Sequence, residues 1–70
     1  MIRGTIENER EAAILFTPEP LGDLQPGPTW LPRSTISRIS RKAAGTPVEA
    51  SIQLAGWKVK QLGWRDLDDT

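Results

Sequence analysis

Seventy residues with nine basic and nine acidic side chains, no cysteine and no histidine suit one small domain closed by apolar packing alone. Neither disulfides nor thiolate or imidazole metal ligands can supplement such a core. The same absences remove the commonest acid–base group and the strongest nucleophile, and no run of about 18 apolar residues is present to cross a bilayer. The expectation is a soluble cytoplasmic chain without catalytic, cofactor or metal chemistry.

The zero formal charge is unevenly spread. Glu7, Glu9, Glu11, Glu19 and Asp23 dominate the first third. Arg33, Arg38, Arg41, Lys42, Lys58, Lys60 and Arg65 dominate the remainder, opposed there by Glu49 before the acidic tail 66–70. This segregation makes either a basic face or, if acidic and basic strands pair, an internally neutralised surface.

In chain order, residues 1–8 mix Gly, Thr, Asn and charge around two isolated isoleucines and read as a frayed arm or a short edge strand. Residues 65–70 read as a frayed, solvated tail, leaving a core of about 9–64. From Glu9 the polar lead passes into Ala13-Ile14-Leu15-Phe16-Thr17, a short apolar run ended by proline, which predicts a buried strand. Residues 18–28 hold four of the six prolines and two glycines. Fixed φ angles and missing donors make this a stiff loop, with Leu21 and Leu24 left to cover a sheet edge or meet a partner.

Trp30, followed within two residues by Pro32, is expected to exit a strand over 29–31 and to sit at the centre of the core with Ile14, Phe16, Ile52 and Leu54. A turn at 32–35 leads to a strand over 36–42. Its inward residues, Ile36 and Ile39, are three apart, so the strand needs a bulge. After a turn at 43–47, residues 48–54 alternate without fault: Val48, Ala50, Ile52 and Leu54 on one face, Glu49, Ser51 and Gln53 on the other. Residues 57–62 read as a short helix with Trp57, Gln61 and Trp64 along one side, Lys58 and Lys60 toward water, and Gly63 as a left-handed cap. The fold expected is mainly β: a small SH3-like or partly open barrel of four to five antiparallel strands with a short C-terminal helical turn.

Ala13-Ile14-Leu15-Phe16, Trp30-Leu31-Pro32-Arg33-Ser34-Thr35-Ile36, Ile52-Gln53-Leu54 and the stretch from Trp57 to Gly63-Trp64 together resemble a pattern in short proteins of bacteria and their phages. That pattern runs Ala-(Val/Ile)-Leu-Val, Trp-(Leu/Ile)-Pro-(Lys/Arg)-Ser-x-(Ile/Val), Ile-x-Leu and a Trp-bearing helical turn. The resemblance spans most of residues 9–64, implies an SH3-like small barrel and supports the helix at 57–62; it implies no catalytic residues. This chain departs from the pattern in a longer Pro-rich loop and in Ala12, where a basic residue is usual, which makes the loop a candidate for function of its own.

No Gly-rich phosphate cradle follows a strand. Ser34 reads as a turn residue, and Asp66, Asp68 and Asp69 lack the glycine and terminal glutamate of a calcium loop. Two classes of function remain. One is a non-catalytic module that binds a protein of a host or phage, a candidate inhibitor of a host defence protein, or self-associates. Its candidate contacts are Leu21, Leu24, Arg33, Arg38, Arg41, Lys42, Lys58, Lys60 and an exposed Trp64. Its basic members are expected to form one strip, Arg38, Arg41 and Lys42 with Lys58 or Lys60. The alternative is a barrel that binds single-stranded nucleic acid through its tryptophans and the same basic residues. A neutral chain gains little from phosphate attraction, which favours the first.

Overall fold

The computed structural model describes residues 1–68. Five strands, β1 (Ile2–Glu9), β2 (Ala13–Pro18), β3 (Thr29–Pro32), β4 (Ile36–Arg41) and β5 (Val48–Leu54), form one antiparallel sheet in the order β3-β2-β1-β5-β4. A three-residue 3₁₀ turn, Arg33–Thr35, joins β3 to β4, and helix α1 (Gly56–Leu62) and a second 3₁₀ turn, Arg65–Leu67, follow β5. β3 and β4 are opposite edges of the sheet yet neighbours in the chain. In a flat sheet four strand spacings of about 4.8 Å would separate them by about 19 Å. The four residue steps from Pro32 to Ile36 reach at most about 14 Å, so the sheet must curl toward a partly open barrel.

Residues 1–8 are neither frayed nor at an edge. β1 is the central strand, paired with β2 on one side and β5 on the other. Ile2 and Ile6, isolated in sequence, are both buried because Gly4 continues the same inward row. Gly4 is the tightest point of the fold. A Cβ there would collide with the Thr17 carbonyl oxygen, would lie 2.7 Å from Phe16 Cζ and would lie 2.8 Å from Pro18 Cα. The Phe16 ring thus occupies the room a side chain at position 4 would need, and β2 folds closely over β1.

β5 forms as its alternation predicts, with Val48, Ala50, Ile52 and Leu54 buried. The bulge expected in β4 is present. The register passes from Ile36↔Leu54 to Arg38↔Gln53, leaving Ser37 extra, and this turns both Ile36 and Ile39 toward the core. Ser37 Oγ donates to the Gln53 carbonyl at 3.2 Å.

Two of the three tryptophans exchange their expected places. Ile14 pairs with Leu31 and Leu15 with Trp30. Since Ile14 points inward, Leu31 does too, and Trp30 is left on the outer face, 39% exposed. Trp64, expected as an exposed contact, is 3% exposed. After α1 the backbone adopts a Schellman motif. The Gly63 N–H donates to Lys60 O, the Trp64 N–H donates to Val59 O, and Gly63 has φ +73°. The residue after the left-handed glycine folds back over the helix's last turn. Trp64 is thereby laid against Phe16, ring centroids 6.3 Å apart and inclined by 47°. The inward side of α1 is Val59 with Leu62, not Trp57 with Gln61.

The end of the chain is not simply a frayed tail. Leu67 packs on the core and the Asp68 carboxylate accepts from the Met1 ammonium at 3.1 Å. Asp69 and Thr70, read with that tail, lie outside the described residues. Among the described residues no helix is long and apolar enough to cross a membrane.

Gly4→Ala is expected to lower stability by about 1–3 kcal/mol, because the obstacles include backbone that no rotamer change can move. Trp64→Ala is expected to cost about 3–5 kcal/mol and Trp57→Ala under about 0.5 kcal/mol. Urea melts of the three variants check this ordering, and equal losses from Trp64→Ala and Trp57→Ala would contradict the packing described.

Candidate functional site

Two indole rings stand at the surface, and each has a cation against it. Trp30 projects from edge strand β3, with the Arg10 guanidinium carbon 4.7 Å from its ring centroid. Trp57, in the first turn of α1, is 63% exposed, with Lys58 Nζ 5.9 Å from its centroid. Lys58 Nζ also donates to Gln61 Oε1 at 3.0 Å. The 3₁₀ turn between β3 and β4 links the two elements that carry these rings. The buried Thr35 donates its hydroxyl to Pro32 O at 2.7 Å and accepts the Ala55 N–H at 2.8 Å. Each tryptophan is therefore two residues from a hydrogen-bonded group of this knot.

At the end of the barrel where β1 finishes, a carboxylate is held between two guanidiniums. Simple alternation from Ile2, Gly4 and Ile6 would turn Asn8 inward and Glu9 outward. A bulge at Glu7 shifts the register to Asn8↔Leu15 and Glu9↔Ile14, which turns Glu9 to the core side. Arg41, opposite the inward Ala50, shares that side. Arg41 donates to Glu9 Oε1 at 2.6 Å, and Arg33, whose Nε donates to Arg10 O at 3.1 Å, reaches the same oxygen at 3.4 Å. The hydrogen bond and charge of Arg41, joined by those of Arg33, hold the Glu9 carboxyl below the usual glutamate range against an opposing push from burial.

This pairing dissolves the basic strip expected from the sequence. Arg38, opposite Gln53, and Arg41, opposite Ala50, point to opposite faces of β4. Lys42 Nζ meets Glu49 across the strands at 3.0 Å, with both side chains largely exposed. Arg33 and Arg41 belong to the Glu9 cluster. Arg38 is exposed on the outer face, and Lys58 is turned to Trp57 and Gln61. Lys60 stands apart on α1, where it lines an open cleft with Gly56, Val59, Arg65 and Asp68.

In the Pro-rich loop, reciprocal hydrogen bonds of 2.9 Å between Leu21 and Leu24 close a tight turn through Gly22, whose φ is +57°. Leu21 is half exposed and Leu24 partly covered. The sequence reading missed Trp30 and Trp57 as surface residues. The available signals were the inward parity of Ile14, which fixes Leu31, and the apolar residue directly after Gly63, which marks Trp64 for burial. Among the described residues no three His, Cys, Asp or Glu side chains are grouped to hold a metal ion. No protein-family model, curated protein or solved structure matches this chain.

Because the Glu9 pKa is lowered on folding, its contribution to stability is fully present above the unfolded value of about 4.3 and is lost as pH falls through the lower folded value. Glu9→Gln is therefore expected to be less stable than the parent at about pH 7, with the gap narrowing as pH falls below the unfolded glutamate value and through the lower folded one. Denaturant melts across this pH range measure it, and a gap that persists in acid would show that charge is not its source.

Proposed function

We propose that this chain is a non-catalytic binding module whose partner is another protein, engaged through the exposed tryptophans Trp30 and Trp57. The observation that supports this reading is the pair of exposed indoles. In so small a chain, with three tryptophans and one phenylalanine, two tryptophans contribute little to the core. Tryptophan and arginine are the residues that most often dominate interface energies, because a large rigid surface is desolvated with little loss of side-chain entropy. The charge arrangement favours protein over polyanion. Arg33, Arg41 and Lys42 are matched by Glu9 and Glu49, and the formal charge of the whole chain is zero, so little counterion release is on offer to a phosphate backbone. A host or phage protein, including a defence protein, belongs to this reading, as does a second copy meeting an open sheet edge.

One observation favours a second reading. An aromatic face with a cation beside it, as in Arg10 with Trp30 and Lys58 with Trp57, is also the arrangement on which unpaired bases stack. Salt separates the two. Four to six phosphate contacts would lower affinity on the order of a hundredfold or more between about 50 and 200 mM salt, whereas an aromatic-anchored protein interface should change by less than about tenfold. Random single-stranded DNA is expected to bind no better than about 10⁻⁴ M at physiological salt.

Trp30→Ala and Trp57→Ala are each expected to weaken the protein partner by about 2 kcal/mol, or roughly thirtyfold, while the chain still melts cooperatively. Calorimetric titration of the partner, with sedimentation of the purified chain to detect self-association, is the measurement. Micromolar, strongly salt-dependent oligonucleotide binding lost with either tryptophan would reverse the order of the two readings.

A further inference from the structure

Helix α1 and the segment after it enclose an open cleft that holds two cations. Of the other cations, Arg33 and Arg41 are matched to Glu9, Lys42 to Glu49 and the Met1 ammonium to Asp68. Arg10 and Lys58 lie against tryptophan rings, and Arg38 stands on the outer face of β4 without an ion pair among the described residues. Lys60 and Arg65, which line one open cleft of about 380 Å³, make no ion pair among the described residues. The floor of the cleft includes Val59, which is buried in the core cluster, and its rim includes Gly56, whose missing side chain leaves the approach open. On a helix, residues three apart share a face, so Trp57 stands on the same side of α1 as Lys60. An apolar floor and two cations without an ion pair among the described residues are thus brought together in one cleft, with the Trp57 ring outside its lining, on the flank of Lys60.

We infer that this cleft takes a single carboxylate flanked by apolar side chains, an acidic and aliphatic segment of a protein partner, held between Lys60 and Arg65 while its neighbours cover Trp57. The inference rests on the protein-binding reading and narrows the chemistry of the partner. A polyanion fits less well. Asp66 and Asp68 both follow Arg65 closely in the chain, and Asp68 lies in the cleft wall, so a backbone with a charge at every step would meet more repulsion than a lone carboxylate seated between Lys60 and Arg65. Arg65 can present two parallel donors to one carboxylate, a geometry that a point charge does not offer.

The test uses the intact chain, isotope-labelled, with the capped tripeptide Leu-Glu-Leu as probe, Leu-Gln-Leu as its uncharged counterpart, and a ten-residue oligothymidylate. The glutamate peptide is expected to shift the Trp57 indole and the Lys60 and Arg65 amide signals with an affinity on the order of 1 mM. The glutamine peptide should bind at least about tenfold more weakly, the loss of one charge-assisted pair. The double variant Lys60→Gln with Arg65→Gln, whose substitutions are at exposed positions, should lose the preference for glutamate while keeping the parent melting curve. Equal shifts with both peptides, or shifts elsewhere on the surface, overturn the assignment. So does tighter binding of the oligothymidylate at these same residues, and that outcome fails the protein reading as well. A protein partner that the double variant keeps and that Trp30→Ala and Trp57→Ala both lose overturns the cleft alone and leaves the protein reading standing.

Discussion

The Phe16 ring lying over Gly4 is the contact on which the remaining architecture depends. A five-stranded sheet of short strands cannot bury one face in water unless it curls, and curling requires that at some point two strands approach more closely than side chains normally allow. Here that point lies where β1 meets β2. Gly4 has Ala50 as its partner on one side and Pro18 on the other, so a row of small or cyclic residues crosses the sheet and leaves space for the one phenylalanine in the chain. Trp64 then closes over that ring from the C-terminal segment. Without the glycine the sheet would open, Phe16 would lose its seat and Trp64 its platform.

The two ends of this curled sheet are closed by different chemistry. The end where β1 begins is covered by apolar groups of the C-terminal segment, Val59, Leu62, Trp64 and Leu67. The end where β1 finishes is closed by charge, with Glu9 between Arg33 and Arg41. That cluster ties the central strand to β4 and to the turn leading into it, across the opening that backbone pairing leaves between β3 and β4. Its members are only partly covered, so its stabilisation is modest, as for other ion pairs in contact with water. Its second consequence is electrostatic: it removes two arginines from any surface strip and leaves the neutral chain with few cations available to a ligand.

What remains exposed is correspondingly selective. Trp30 and Trp57 lie outside a core that would gain from burying either, and Lys60 and Arg65 share one cleft without an ion pair among the described residues. Tryptophan is enriched among the residues that dominate interface energies, which is the physical ground for proposing the two rings as contact residues.

How much of this was legible in the sequence differs from element to element. Strand β5, the short helix, its left-handed glycine cap and even the bulge in β4 follow from residue types and local periodicity, because each is decided by neighbours within a few positions. The Pro-rich loop is legible for the same reason. β1 was not: its two isoleucines are separated by a glycine, and a glycine reads as weakness until the ring that fills its place is known. The exchange of Trp30 and Trp64 has a similar origin. Side-chain volume alone suggested that Trp30 is central, but strand parity is set by pairing with β2, and Trp64 is buried because a hydrogen-bonded reversal turns it back. The candidate site was legible only as composition, a surplus of cations and aromatics in the second half of the chain. Which cations are cancelled depends on Glu9, more than twenty residues from either arginine, and on a one-residue bulge that changes the face on which it emerges. The sequence by itself determined the local elements and the supply of apolar and charged groups. Only the tertiary structure decided which of those groups meet, since register, bulges and chain reversal are set by contacts between residues far apart in the chain.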